Sequence, residues 1–177
     1  MEARSLNALV EAVLRRAWRR DSRWHGEIHW RCVTATALEL ASADERVDPS
    51  FVFCFGLLHD TRRENEAVDP GHGPRAAASA EILRREGALI LDDPAFADLT
   101  EALRLHSDGL VSADPTIGTC WDADRLHLPR VSIVLDPALL STAAAREPRR
   151  LSEADALRRD GPPEWEALVE LVSAPTA

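Results

Sequence analysis

Apolar residues at Leu6, Leu9, Val10, Val13, Leu14 and Trp18 recur at intervals of three and four, predicting an amphipathic helix near the start of the chain. Asp21 and Ser22 break that pattern, and Ile28, Val33, Ala37, Leu38 and Ala41 mark a second helix. Asp48-Pro49-Ser50 is a helix-start signal for the apolar run from Phe51 to Leu58. Periodicity alone does not separate a buried strand from a buried helix there. Helix is the reading adopted, because no other segment offers a convincing partner strand.

The composition turns polar from Arg62 to Arg75, with residues 69–74 as a loop, before a helix over 75–86 that Gly87 terminates. Leu99, Leu103 and the segment around His106 predict another helix, ending near Gly109. A loop over 114–119 is expected to lead into a helix bearing Asp122, Asp124 and Arg125. A turn and short helix follow over 131–140, with closing helices over 151–157 and 164–172 and a dispensable tail over 174–177. There is no internal repeat. The expectation is an all-α chain forming a single domain over residues 1–177, its chemistry concentrated between about residues 22 and 130.

A length of 177 residues, 45% of them hydrophobic and 29% charged, suits one globular domain with a sizeable core. The net charge of −9 argues against attraction to a nucleic-acid polymer or an anionic membrane, while leaving room for a small anionic substrate in a locally basic cleft. All 21 basic residues are Arg, so Arg abundance by itself marks no site. Cys32, Cys54 and Cys120 are odd in number and form no CxxC pair, which points to reduced, buried thiols. No apolar stretch approaches the ~20 residues that cross a bilayer. The opening Met-Glu-Ala-Arg lacks a secretory signal, making cytoplasmic residence the expectation. A homodimer is compatible with a small enzyme of this kind, but no segment identifies an interface.

Four residues change this picture. His29 lies on the second predicted helix, His59-Asp60 ends the apolar run, and Asp124 sits in Ala-Asp-Arg-Leu. Two imidazoles and two carboxylates make a ligand set for a divalent cation with positions left for water and substrate. An adjacent His and Asp at a helix end can turn toward one ion, whereas inside a helix they diverge by about 100°. The dipeptide alone carries little information, since His-Asp occurs often by chance and a helix-ending polar pair with a capping role also accounts for it.

The flanking segments are more specific. His29-Trp30-Arg31-Cys32-Val33, His59-Asp60 and Ala123-Asp124-Arg125-Leu126-His127 resemble, in order and spacing, the metal-binding segments of the HD-domain superfamily over roughly residues 25 to 130. The resemblance implies an HD-type helical bundle with His29, His59, Asp60 and Asp124 as metal ligands. Cys32 stands where the family usually has Arg, which removes a supporting salt bridge but no ligand. Asp122 competes for the distal carboxylate role. Asp124 is preferred because it occupies the Ala-Asp-Arg-Leu register, leaving Asp122 to support or cap. Mixed nitrogen and oxygen ligation suits Mn, Mg, Fe, Co or Ni, as one ion or two. The activity implied is a metal-dependent phosphohydrolase acting on a nucleotide or other small phosphorylated metabolite through a metal-activated water.

Around that set, Asp60 and Glu64 are candidate catalytic carboxylates, with Asp69 as the alternative to Glu64 and a solvated surface role equally open for Glu64. Arg62, Arg63 and Arg125 are candidates to bind substrate phosphate through a planar fork. His25 directly precedes the first segment and is a candidate to line the same cleft, against an ordinary hydrogen-bonding role at a helix start. His72 and His106 are candidates for phosphate contact or a second metal ion; a His in such a loop or at a helix end is otherwise a hydrogen-bonding residue. His127 reads as structural. Trp24, Trp30 and Trp121 flank the motifs, and packing is the better reading for two of the three. Two other readings stand beside the hydrolase: a di-iron oxygenase, which needs a second metal on groups such as His72 and His106, and a catalytically silent metal-containing regulatory protein.

Overall fold

The computed structural model describes Met1–Ser173; the expected tail over 174–177 lies outside the described residues. Among the described residues eight α-helices run in the order α1 (Ala3–Leu14), α2 (Glu27–Ala41), α3 (Pro49–Leu58), α4 (His72–Arg85), α5 (Asp93–Leu105), α6 (Pro115–Arg125), α7 (Arg150–Asp160) and α8 (Trp165–Ser173). Two 3-10 turns, Leu128–Val131 and Pro137–Leu139, connect α6 to α7. Among the described residues there is no strand, in keeping with the all-α expectation.

The centre of the molecule is α3. Asp48 caps it by accepting from the Ser50 amide at 2.8 Å, Pro49 fills its first turn, and every residue from Ser50 to Leu58 is buried. A helix apolar all round has to be wrapped by other helices. Here α1, α2, α5, α6 and α8 all touch it. The closing helix α8 packs on α1, and its Trp165 meets Phe53 of α3 edge-on at 5.8 Å and donates from Nε1 to Glu27 of α2 at 2.9 Å.

Three boundaries differ from the sequence reading. α1 stops at Leu14, short of Trp18, whose amide instead donates to the Thr61 carbonyl at 2.9 Å. α4 begins at His72, so the loop histidine is the first residue of a helix. The expected loop over 114–119 is the first half of α6: Asp114 accepts from the Thr116 and Ile117 amides at 2.8 and 2.9 Å, and Pro115 occupies the first turn. An Asp-Pro pair is a helix-start signal, and the Thr and Gly that follow do not outweigh it.

Candidate metal centre

Two close helix crossings build the centre. A Cβ on Gly56 of α3 would lie 2.8 Å from the Thr34 Cα of α2, so glycine permits α2 and α3 to approach backbone to backbone. A Cβ on Gly73 of α4 would lie 2.7 Å from the carbonyl oxygens of both Leu103 and Arg104 on α5. The first crossing brings His29 to His59, and the second brings His72 to His106.

Four ligand atoms converge at the first crossing. His29 Nε2 lies 3.2 Å from His59 Nε2 and 3.3 Å from Asp124 Oδ1, and His59 Nε2 lies 3.8 Å from the same oxygen. Asp60 completes the set, its Oδ2 standing 3.7 Å from His29 Nε2 and 3.9 Å from His59 Nε2. The other oxygen of Asp60 faces the second crossing, 3.3 Å from His72 Nε2 and 3.8 Å from His106 Nε2. Two three-residue groups, His29/His59/Asp124 and Asp60/His72/His106, each have the spacing to hold a metal ion, and Asp60, a member of the second, also borders the first through Oδ2.

Backbone carbonyls set the tautomers. His59 Nδ1 donates to the Gly56 carbonyl at 2.9 Å, His106 Nδ1 to that of Leu103 at 2.8 Å, and His72 Nδ1 to that of Asp69. An imidazole that donates from Nδ1 presents a lone pair at Nε2, the form that binds metal. Phe55 stacks on the His59 ring with centroids 5.4 Å apart and restricts its rotation. The Asp124 Oδ1 atom is buried and has no hydrogen-bond partner, a costly state for a carboxylate oxygen unless a cation sits against it. The donor set fits a divalent metal.

Burial holds His29 and His59 below the ordinary histidine range, and it lowers His72 to about 4 with help from the neighbouring His106. At His106 burial also opposes the proton, but Asp60 outweighs it and the pKa rises. Burial pulls Asp60 and Asp124 upward, yet the surrounding imidazoles hold both carboxylates well below their usual range, with Arg130 adding to the effect at Asp124.

The remaining expected site residues divide into two groups. His25 belongs to the centre, its Nδ1 lying 3.1 Å from Asp60 Oδ2. Arg63 belongs to it as well, with Nη1 3.5 Å from Asp60 Oδ1. Arg62, Glu64 and Arg125 do not. Arg62 lies over the Trp18 ring at 5.1 Å and donates to Ser79 at 3.0 Å. The Glu64 side chain is 59% exposed and faces Arg75 at 3.7 Å. Arg125 donates to the Leu139 carbonyl and rests near Trp121. Residues adjacent on a helix diverge by about 100°, so with Asp124 turned inward Arg125 is turned away.

Asp122 also faces elsewhere. It accepts from the Ser141 and Thr142 amides, each at 2.7 Å, and from the Thr142 hydroxyl at 2.9 Å, fixing the segment after the second 3-10 turn. Asp69 is bound by Arg75 at 2.7 and 2.6 Å, and its carbonyl orients His72. His127 is buried against the Thr36 hydroxyl at 2.9 Å. Trp30 and Trp121 are core residues, while Trp24 is partly exposed. The three cysteines are free and buried.

Arg130 is the residue at the centre that the sequence did not single out. α6 ends at Arg125, and Pro129 occupies the first turn of the 3-10 segment Leu128–Val131, which carries Arg130 back over the ligands. Its Nη1 stands 3.9 Å from Asp124 Oδ1 and its Nη2 3.9 Å from Asp60 Oδ2. Apart from Pro129, nothing distinguishes it among 21 arginines.

No family model, curated protein or solved structure matches this chain. Among the described residues, no helix is long and apolar enough to cross a membrane.

Proposed function

We propose that the chain is a metal-dependent phosphohydrolase of the HD type, acting on a nucleotide or other small phosphorylated metabolite. The observation that carries this reading is Asp60, whose two carboxylate oxygens face different imidazole pairs, His29/His59 and His72/His106. A carboxylate shared in this way between nitrogen donors is suited to two divalent cations side by side, the arrangement that clamps attacking and leaving oxygens in phosphoryl transfer. Such cations, when bound, polarise a phosphoryl oxygen and lower the pKa of water at the site.

The chain's own residues do the remaining work. His29, His59, Asp60 and Asp124 hold one position, and His72, His106 and the second oxygen of Asp60 hold the other. The Gly56, Asp69 and Leu103 carbonyls keep the imidazoles in the ligating tautomer. His25 fixes the rotation of Asp60. Arg63 adds positive charge beside the shared carboxylate, favouring an anionic substrate in a protein whose net charge is −9. Cytoplasmic residence and a homodimeric state accompany the proposal as expectations.

The test is metal content by elemental analysis, then phosphate release from a nucleotide panel with Mn or Mg on the same preparation. Stoichiometric metal with turnover, both lost in Asp60→Asn, supports the reading. The second imidazole pair also favours one other reading, a di-iron oxygenase. Bound iron with oxygen consumption and no phosphate release would put that reading first. A filled centre with no turnover of either kind would leave a regulatory, metal-containing protein.

A further inference from the structure

Arg130 is held by two backbone carbonyls, and its Nη2 faces the centre without an acceptor. Its Nε donates to the Trp24 carbonyl at 2.8 Å and its Nη1 to the His127 carbonyl at 2.9 Å. Nη2 lies 3.3 Å from His25 Nδ1, which itself lies 3.1 Å from Asp60 Oδ2. One ring nitrogen cannot donate to the carboxylate and accept from the guanidinium at once. The carboxylate is the stronger partner, so Nδ1 carries the proton to Asp60 and Nη2 is left without an acceptor. A guanidinium has five N–H groups in a rigid fork, and the two carbonyls use only two of them. The nearest anions, Asp60 and Asp124, are both 3.9 Å away, too far for a hydrogen bond.

Burying a guanidinium without a bonded anion is unfavourable, and the Arg130 side chain is only 7% exposed. Once Asp60 and Asp124 are committed to cations, neither Arg130 nor Arg63 retains a free carboxylate at the centre. The loaded centre is then strongly cationic and favours an anionic ligand. We propose that Arg130 binds the phosphoryl group of the substrate, its free Nη1 and Nη2 hydrogens gripping two phosphoryl oxygens over the shared metal centre. The inference rests on the phosphohydrolase reading and supplies a binding residue to it.

The test uses inorganic phosphate as probe, titrated by calorimetry into full-length protein loaded with Mn. Wild type is expected to bind phosphate, and Arg130→Gln to bind it about 10- to 100-fold more weakly with Mn stoichiometry unchanged, the loss typical of a charge-assisted pair. Arg130→Lys, which keeps the charge and loses the fork, is expected to fall between them and carries the test if Arg130→Gln does not fold. Unchanged phosphate affinity in the variants would overturn the role of Arg130 while leaving the phosphohydrolase reading intact. Loss of Mn in the variants would overturn it too, assigning Arg130 to holding the ligands in place. Absence of phosphate binding to Mn-loaded wild type would overturn both.

Discussion

His72 Nε2 and His106 Nε2 stand 2.7 Å apart, although each ring gives its Nδ1 proton to a backbone carbonyl three residues earlier. Two neutral imidazoles held in that way present lone pairs to each other. The contact is stable only with a cation between the rings. A proton on one ring would meet that need in the metal-free protein: at His106 burial opposes it but Asp60 outweighs burial, whereas burial and the neighbouring His106 lower His72 to about 4. A divalent metal bound there would take the proton's place, since the same lone pairs and Asp60 Oδ1 surround the position.

From this follows a difference between variants. His106→Ala and His72→Ala are expected to drop the bound metal from two equivalents to one, because His29, His59, Asp60 and Asp124 remain. Asp60→Ala is expected to lose both, since each group uses one of its oxygens. Elemental analysis after dialysis checks the order; two equivalents retained in His106→Ala would place the second ion elsewhere.

The glycines at the two crossings are expected to be sensitive to a single methyl group. Gly73→Ala would set a Cβ 2.7 Å from two α5 carbonyl oxygens, which must move apart at a cost of about 1–3 kcal/mol. For a chain of this length the melting temperature should fall by roughly 2–12 °C. The displacement separates His72 from His106, so affinity for the second equivalent of metal should weaken more than that for the first. Calorimetric titration with Mn distinguishes the two.

Asp122 and Asp124 lie two residues apart and should fail differently. Asp122→Ala leaves the Ser141 and Thr142 amides without their acceptor and is expected to cost about 1–3 kcal/mol in urea unfolding, with metal content intact. Asp124→Ala removes a ligand and should lose metal. Equal metal loss in both variants would contradict the separation of roles.

His127 provides a pH signature in the metal-free protein. Burial, then the nearby Arg130, lowers its pKa to about 4, below the value near 6.5 that it takes unfolded. The unfolded chain therefore binds more protons between these values. Stability from this group is complete above about pH 6.5 and is lost as pH falls toward 4, by on the order of 3 kcal/mol. His127→Gln should flatten that part of the urea-midpoint profile relative to wild type. An unchanged profile would mean that His127 is not buried in neutral form.

By itself the sequence determined the local events. Helical periodicity and the Asp48-Pro49 start placed α2 and α3, and an apolar run without partner strands became the buried central helix. The four residues His29, His59, Asp60 and Asp124 were legible because short motifs hold them at helix positions where neighbours in sequence fix the direction of the side chain. The start of α6 was equally local, in Asp114-Pro115, and the Thr and Gly after it obscured the signal. Tertiary structure alone decided what meets across the bundle. That Asp60 serves two imidazole pairs depends on crossings of α2 with α3 and of α4 with α5, set by how closely Gly56 and Gly73 let backbones approach. The same crossings leave Arg62, Glu64 and Arg125 facing away while the 3-10 turn Leu128–Val131 brings Arg130 in. Sequence spacing gives the angle of a side chain around its own helix, but the distance between two helices is fixed only when their surfaces are packed together.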